Sequence, residues 1–436
     1  MSDIGKPERQ TQQRVIQLFQ NDLGYQYLGD WTDRAGNSNI EDGLLTAFLQ
    51  ASGYNTAQAS RVLEALHREA DNPNRSLMAN NQAVYKLLRY GVAIKVAVGE
   101  MTETVPLIHW HKPNANHFAI AEEVTMKGGH GRRPDLVMYV NGISIGVLEL
   151  KNSRRGIGEG IRQSLSNQTP EFNAWFFSTV QFVLAGNDTE GLQYGCIGTQ
   201  EKFFLKWKED EADNTGFKLD KYLHKMCTKA RLLELMFDFV LFDGGVKKLP
   251  RVHQYFGIKA AQDHVRERKG GIIWHTQGSG KSIVMVLLAK WILENNPNSR
   301  VVIVTDRDEL DKQIVRVLRE AGMISASDDD SKIRAGSGRD LMAKLAQPTP
   351  RLLCSLVHKF GRRDVDDFDA FIKDLQSQPS QTVGELFVFV DECHRTQSGK
   401  LHRVMKAMMP NAVFMGFTGT PLLKKDKQTS MDVFGG

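Results

Sequence analysis

The stretch that most constrains this chain is residues 270–293, GGIIWHTQGSGKSIVMVLLAKWIL. A short apolar run, a glycine-punctuated loop and a long apolar helix pattern follow one another without a gap. That is the context in which a loop can wrap a phosphate. Gly278 and Gly280 allow the backbone N–H groups to turn inward, and the helix N-terminus adds a favourable dipole. Lys281 is suited to the β- and γ-phosphate oxygens and Ser282 to Mg²⁺. We take Thr276, Gly278, Ser279, Gly280, Lys281 and Ser282 as the nucleotide-binding residues. The general pattern places a glycine six positions before the lysine, where this chain has His275. The GSGKS end makes most of the contacts, so the departure costs little.

A second element supports the first. LFVFVDECH (386–394) ends an apolar strand pattern on Asp391 and Glu392. Asp391 is placed to hold Mg²⁺ through water and Glu392 to polarise the attacking water, the division of labour that phosphoryl transfer needs. Around these motifs, IIWHT, VVIVTD, RLLCSLV, LFVFVD and AVFMGFTGT alternate with helical stretches. Short apolar strands alternating with helices predict a parallel sheet covered on both faces.

The front half reads differently. Residues 7–91 carry helical periodicity, and from 92 the period shifts to strands: VAIKVAV, TVPLIHWH, HFAIAEEVTM, DLVMYV, ISIGVLELK, VQFVLAG and YGCIGTQEKFFLKW. A helix is expected near 157–168. KEDEADNTG (208–216) is the best linker candidate, followed by a long helix near 218–243. The domains are therefore set at 1–210, a linker helix at 211–250, and 251–436, an α+β half followed by an α/β half.

With 56 Lys+Arg against 51 Asp+Glu, the net charge of +5 permits a polyanionic partner without requiring one. The four cysteines are scattered and frame neither zinc nor disulfides. The polar N-terminus is not a signal peptide, and no apolar run approaches a membrane span. The expectation is a soluble cytoplasmic protein.

The phosphate loop, VTDRDELDKQ (304–313), DECH (391–394) and GFTGTP (416–421) occur in the order of the first-lobe motifs of superfamily 2 helicases and translocases. About residues 245–436 resemble that family. The resemblance implies a RecA-like lobe using ATP and Mg²⁺, with DECH as its form of the DEAD/DEAH box. It also implies that Thr418 and Thr420 couple nucleotide state to nucleic-acid contacts and that Asp306 and Arg307 lie near the strand path. Gln254, in RVHQYFGIKAAQ, would read adenine, or else is an ordinary exposed helical glutamine. Such motors work between two lobes, the second supplying an arginine finger. The sequence runs to Gly436, soon after the third core motif. The expectation is a fragment carrying the first lobe without the second, able to bind nucleotide but poorly equipped to turn it over.

A second constellation lies in PDLVMYVNGISIGVLELK (134–151). Two β-rich runs flank Asn141-Gly142, a strong hairpin signal. Glu149 and Lys151 alternate and share one face. Whether Asp135 joins them is a matter of register. A regular two-residue hairpin pairs 135 with 148 and puts Asp135 on the wrong face. A three-residue loop, or one bulge supplied at Gly142 or Gly146, pairs 135 with 149 and brings all three together. An irregular hairpin is therefore expected. The chemistry would be Mg²⁺-dependent phosphodiester hydrolysis, with Asp135 and Glu149 on the metal and Lys151 orienting water or stabilising charge. This matches the PD-(D/E)xK nuclease motif in its Glu-Leu-Lys form.

The combination resembles the restriction (motor) subunit of type I restriction–modification enzymes, with GRRPDLVMYVNGISIGVLELKNS and RVHQYFGIKAAQ closest. The resemblance implies a mixed-sheet nuclease domain ahead of the RecA-like lobe, double-stranded DNA as substrate, and separate methylation and specificity subunits as partners. It also implies a glutamine on the helix after the lysine, Gln163 or Gln168, although the aromatic residue expected beyond it is missing. Arg132 and Arg133 either contact phosphates or are solvated basic residues. His109, His111, His117 and His130 fit no metal-ligand spacing. Two other readings stay open: a different superfamily 2 or type III restriction motor with a non-nuclease front domain, and a non-catalytic nucleic-acid-binding scaffold.

Overall fold

The computed structural model describes residues 8–95, 101–126, 132–210, 212, 215–305, 308–324, 329–356, 382–393 and 399–420, with 399–403 described for backbone only. The chain forms two compact units, Met1–Val252 and His253–Gly436.

In the first unit the central sheet has seven strands in sequential order: β1 (Gln26–Asp30), β2 (Phe118–Glu122), β3 (Leu136–Val140), β4 (Ile143–Leu150), β5 (Phe182–Asn187), β6 (Gly191–Gly195) and β7 (Leu205–Lys206). The β1–β2 and β4–β5 pairs are parallel and the others antiparallel, so the sheet is mixed. Every residue of β3 and β4 is buried, in keeping with their nearly unbroken apolar runs. Helix α1 (Glu8–Gln17) precedes β1, and α2 (Ile157–Asn167) connects β4 to β5.

Three expectations are modified here. The 7–91 stretch, expected to be mostly helical, is so among its described residues, but the strand β1 lies among the helices and pairs with a strand far away in sequence. Of the VAIKVAV run, whose last three residues lie outside the described ones, Val92–Ile94 form a strand paired with Glu103–Val105 in a separate two-stranded sheet. The stretch expected as one linker helix forms two, Lys218–Cys227 and Lys229–Asp238, which break at Thr228 (ψ 140°). Leu219, Leu223, Met226, Leu232 and Met236 bury their side chains, which draws this stretch into the first unit.

The second unit is a six-stranded, all-parallel sheet. In chain order its strands are β8 (Gly271–Trp274), β9 (Ser299–Thr305), β10 (Arg334–Ala335), β11 (Leu352–Leu356), β12 (Glu385–Asp391) and β13 (Val413–Thr418). Their spatial order is β8-β13-β12-β9-β11-β10. Val302, Val304, Leu353, Val388 and Val390 form part of its core. Helices α3 (Val252–Arg266) and α4 (Lys281–Asn295) flank β8 in sequence. Because all six strands run the same way, their C-terminal ends share one edge, where open α/β sheets bind ligands.

Candidate functional site

In the first unit, the register of one hairpin assembles the site. Asn141 (φ 52°) and Gly142 (φ 83°) both take left-handed conformations, the requirement of a tight two-residue turn. Val140 pairs with Ile143 and Tyr139 with Ser144, but Met138 pairs with Gly146. Ile145 is therefore the extra residue of a bulge, its carbonyl accepting from the Gln181 N–H at 2.8 Å. The bulge was expected at Gly142 or Gly146. Gly142 makes the turn instead, and Gly146 is the paired residue after the bulge. Beyond it Leu136 faces Leu148, and one further step brings Asp135 level with Glu149.

The Leu150 N–H donates to Asp135 Oδ2 at 2.5 Å, which ties the aspartate across the strand pair. Lys151 Nζ lies 3.9 Å from the same oxygen. It donates to the Leu150 carbonyl at 2.8 Å and to Glu8 Oε1 at 3.1 Å. Glu149 is fully buried, and among the described residues neither of its carboxyl oxygens meets a hydrogen-bond donor. Gly160 of α2 lets the helix close over this face: a Cβ there would lie 3.3 Å from Glu149 Cβ and 3.6 Å from Lys151 Cγ.

The electrostatics follow from that geometry. Burial, and then the charge of Asp135, raises the Glu149 carboxyl well above the usual carboxylate range. Burial pushes Asp135 up to about 6, against the opposing pull of Lys151 and the Leu150 N–H. For Lys151 burial acts downward, but Asp135, Glu149 and Glu8 outweigh it and the net direction is up. Two buried carboxyls that disfavour each other, one with no donor at either oxygen, fit a divalent cation, which would reverse both penalties. Among the described residues no group of three or more His, Cys, Asp or Glu forms a metal site. A cation held here would have two carboxylates as its side-chain donors, a set suited to a hard cation.

In the second unit the residues expected to bind nucleotide converge on the C-terminal edge of the sheet. Trp274 pairs with Thr418 and Asp391 with Phe417, so the phosphate loop, Asp391 and the Thr418 turn lie side by side. Gly278 (φ 77°) and Gly280 (φ 85°) take the left-handed conformations that the loop demands. The Ser279 N–H donates back to the Thr276 carbonyl at 3.1 Å. Lys281 and Ser282 open α4. Lys281 Nζ lies 3.3 Å from Glu392 Oε1, and Gly419 packs against that ammonium, where a Cβ would come within 2.9 Å. Asp391 and Thr418 are buried. The Thr420 N–H donates to Thr418 Oγ1 at 3.1 Å, which links the two threonines into one turn.

The residues of these two units match two family models in turn. Residues 5–202 match the type I restriction enzyme R protein N terminus, and residues 253–436 match the SWI2/SNF2 ATPase. The chain is thus similar, unit by unit, to the R protein N terminus of type I restriction enzymes and to SWI2/SNF2 ATPases. It is 27% identical over 469 residues to a sequence assigned as the MjaIXP type I restriction enzyme endonuclease subunit of Methanocaldococcus jannaschii, covering 97% of this chain and 43% of that one. It is 28% identical over 398 residues to the HindI type I restriction enzyme endonuclease subunit of Haemophilus influenzae, covering 82% of this chain and 36% of that one. The chain thus spans less than half the length of either relative.

The remaining expected residues divide by environment. Gln254 is buried, its Nε2 donating to the Ser279 and Gly280 carbonyls at 2.8 and 3.3 Å, so it braces the phosphate loop from below. Arg132 stacks over Phe172 at 3.6 Å and donates to Ser166 Oγ and Asn167 Oδ1. Arg133 pairs with Glu123 at 2.9 Å. Gln163 is half-buried on α2, and Gln168 accepts from the Gly198 N–H. His109 bonds to Ser52, His117 to Gln26, and His111 meets the Phe237 ring edge-on. Asp306, Arg307 and His130 lie outside the described residues. No helix among the described residues is long and apolar enough to cross a membrane.

Sequence reading did not find Glu8, Gly160, Gly419 or the bulge at Ile145. Glu8 and Gly160 reach the site through tertiary packing, and no local pattern announces them.

Proposed function

We propose that this chain is the DNA-cutting and DNA-translocating part of a type I restriction–modification complex: a site-specific deoxyribonuclease driven by ATP, working with methylation and specificity subunits on double-stranded DNA. The single observation that carries the cutting is the bulged hairpin, which aligns Asp135, Glu149 and Lys151 on one buried face. Asp135 and Glu149 would hold Mg²⁺, which supplies positive charge against the scissile phosphate and acidifies water.

The chain's own residues do the rest. The Leu150 N–H fixes the Asp135 carboxylate across the strand pair, which would hold it in place for the metal. Three carboxylates keep Lys151 charged, so its ammonium can orient the attacking water or meet the charge that grows on phosphate oxygen. Burial under α2 excludes bulk water from Glu149 and strengthens each of these interactions.

In the second unit, Lys281 would exchange Glu392 for the β/γ-phosphates, Ser282 and Asp391 would hold Mg²⁺, and Glu392 would polarise the attacking water. Thr418 and Thr420, on the turn beside Lys281, would carry the nucleotide state to the DNA, with Asp306 and Arg307 along its path. DNA sequence is read elsewhere in the complex, and this chain grips the duplex by its backbone. A restriction subunit meets incoming DNA inside the cell, so the reading makes the protein cytoplasmic.

The test uses the full-length subunit assembled with its partners. Asp135→Ala and Lys151→Ala should each abolish cutting while the variants stay folded and ATP turnover stays at the parent value. If both variants cut like the parent, the nuclease reading fails.

A further inference from the structure

The two arginines expected to meet phosphate, Arg132 and Arg133, are held by Phe172, Ser166, Asn167 and Glu123. A different cation stands at the mouth of the site. Directly after Lys151 the chain makes the turn Asn152-Ser153-Arg154-Arg155-Gly156 and then enters α2. Its backbone is pinned at four points. Asn152 Oδ1 accepts from the Arg154 N–H at 2.9 Å, and the Asn152 carbonyl accepts from the Arg155 N–H at 3.0 Å. The Arg155 carbonyl accepts from Asn187 Nδ2 at 3.0 Å, and the Ile157 N–H donates to Glu190 Oε1 at 3.1 Å.

The side chains on this fixed turn are treated very differently from its backbone. Arg154 and Arg155 are both exposed. Arg155 makes a solvent-exposed contact with Glu159 at 3.5 Å, of a kind worth little. Arg154 forms no ion pair among the described residues. A turn pinned by the half-buried Asn152, the buried Asn187 and the exposed Glu190, whose arginine is left without a carboxylate among the described residues, holds that guanidinium ready for an anion from outside.

The position says which anion. β4, α2 and β5 form a parallel β-α-β unit, and the turn lies at the C-terminal ends of its strands, the edge from which Lys151 emerges. Three residues of chain place Arg154 within roughly 10 Å of Lys151. Duplex DNA carries a phosphate about every 3.4 Å of axis on each strand. A duplex seated with one phosphate at Lys151 therefore offers neighbouring phosphates within reach of Arg154.

We propose that the Asn152–Gly156 turn is a backbone clamp, with Arg154 gripping a phosphate that neighbours the scissile one and so setting the seat of the duplex over Asp135, Glu149 and Lys151. This rests on the nuclease reading. Arg154 is a positioning residue, which touches the substrate away from the bond that breaks.

The experiment is duplex binding by the full chain across a salt series, with a chelator present to prevent cutting, using one short duplex of arbitrary sequence. Arg154→Ala should bind roughly three- to tenfold more weakly. The slope of log affinity against log salt should become shallower by about one. Arg154→Lys should keep the parent slope, since it keeps the charge. In cutting assays of the assembled complex, Arg154→Ala should raise the duplex concentration at half-maximal rate and leave the maximal rate near the parent's. An unchanged affinity and slope in Arg154→Ala would overturn the clamp, as would a fall in maximal rate with binding intact. Lys151→Ala, run alongside, separates the two ideas: if it still cuts, the nuclease reading is lost whatever Arg154 does to binding.

Discussion

Lys281 Nζ and Glu392 Oε1 are 3.3 Å apart, so the cation we propose for phosphate and the acid we propose for water neutralise each other. Nucleotide must compete for Lys281, and Gly419 leaves the ammonium little room to swing away. Lys281→Ala should therefore lose nucleotide binding. Glu392→Gln should bind as tightly as the parent or tighter, because the competing carboxylate is gone, while hydrolysis falls by two orders of magnitude or more. Gly419→Ala should weaken binding about tenfold by crowding Lys281 and the Gln277 N–H. Titration with a fluorescent nucleotide, followed by a turnover assay, reads all three. Weaker binding in Glu392→Gln would contradict the competition.

The two buried carboxyls of the first unit make a metal prediction that needs no activity assay. Asp135 and Glu149 are both raised by burial, so the folded state carries a penalty at neutral pH that a divalent cation removes. Mg²⁺ at millimolar levels should raise the midpoint of thermal unfolding in the parent and leave Asp135→Asn and Glu149→Gln unmoved. Equal shifts in all three would place the cation elsewhere.

What could be read from sequence was whatever the chain writes locally. The strand–loop–helix at 270–293 and the paired runs of β3 and β4 announce themselves through period and turn chemistry. The need for an irregular hairpin also followed from parity, since an odd offset is the condition for Asp135 to face Glu149. The bulge's seat at Ile145 did not, because it depends on Gln181 capturing the Ile145 carbonyl from outside the hairpin. β1 escaped notice for a similar reason: QYLGD is a short, polar edge strand whose partner lies beyond residue 117. Glu8 is one more acid in a polar segment until folding delivers it to Lys151.

The turn that starts β4 should be intolerant of any side chain. Gly142 has φ 83°, and a Cβ there would fall 2.8 Å from the Glu41 carbonyl oxygen, from Leu44 Cβ and from the Leu45 nitrogen. Gly36 has nearly the same φ, 81°, and open space around it. Gly36→Ala should cost about 1 kcal/mol, the left-handed strain alone. Gly142→Ala adds overpacking against backbone, for a total of roughly 2–5 kcal/mol. Urea denaturation of the two variants beside the parent measures the difference. Equal losses would mean that the loop at 41–45 yields.

Lys247 offers a pH dependence with a definite sign. Its ammonium is almost fully buried, donating to Asn81 Oδ1 at 3.0 Å and to Gln181 Oε1, with the rings of Tyr85 and Phe242 beyond. Both hydrogen-bond partners are neutral amides. Burial pulls Lys247 down from 10.5 to about 7. Between those two values the unfolded chain holds the proton more tightly than the folded one, so stability rises with pH across the window and is lost as pH falls towards 7. One such group contributes a slope of at most about 1.4 kcal/mol per pH unit. Lys247→Met carries no proton to titrate. Denaturant unfolding of parent and variant at several pH values between about 7 and 10 should therefore show a stability difference that shifts in the parent's favour as pH rises. A constant difference across that range would mean that the ammonium stays charged inside the fold, stabilised by the two amides and the ring faces rather than stripped of its proton by burial.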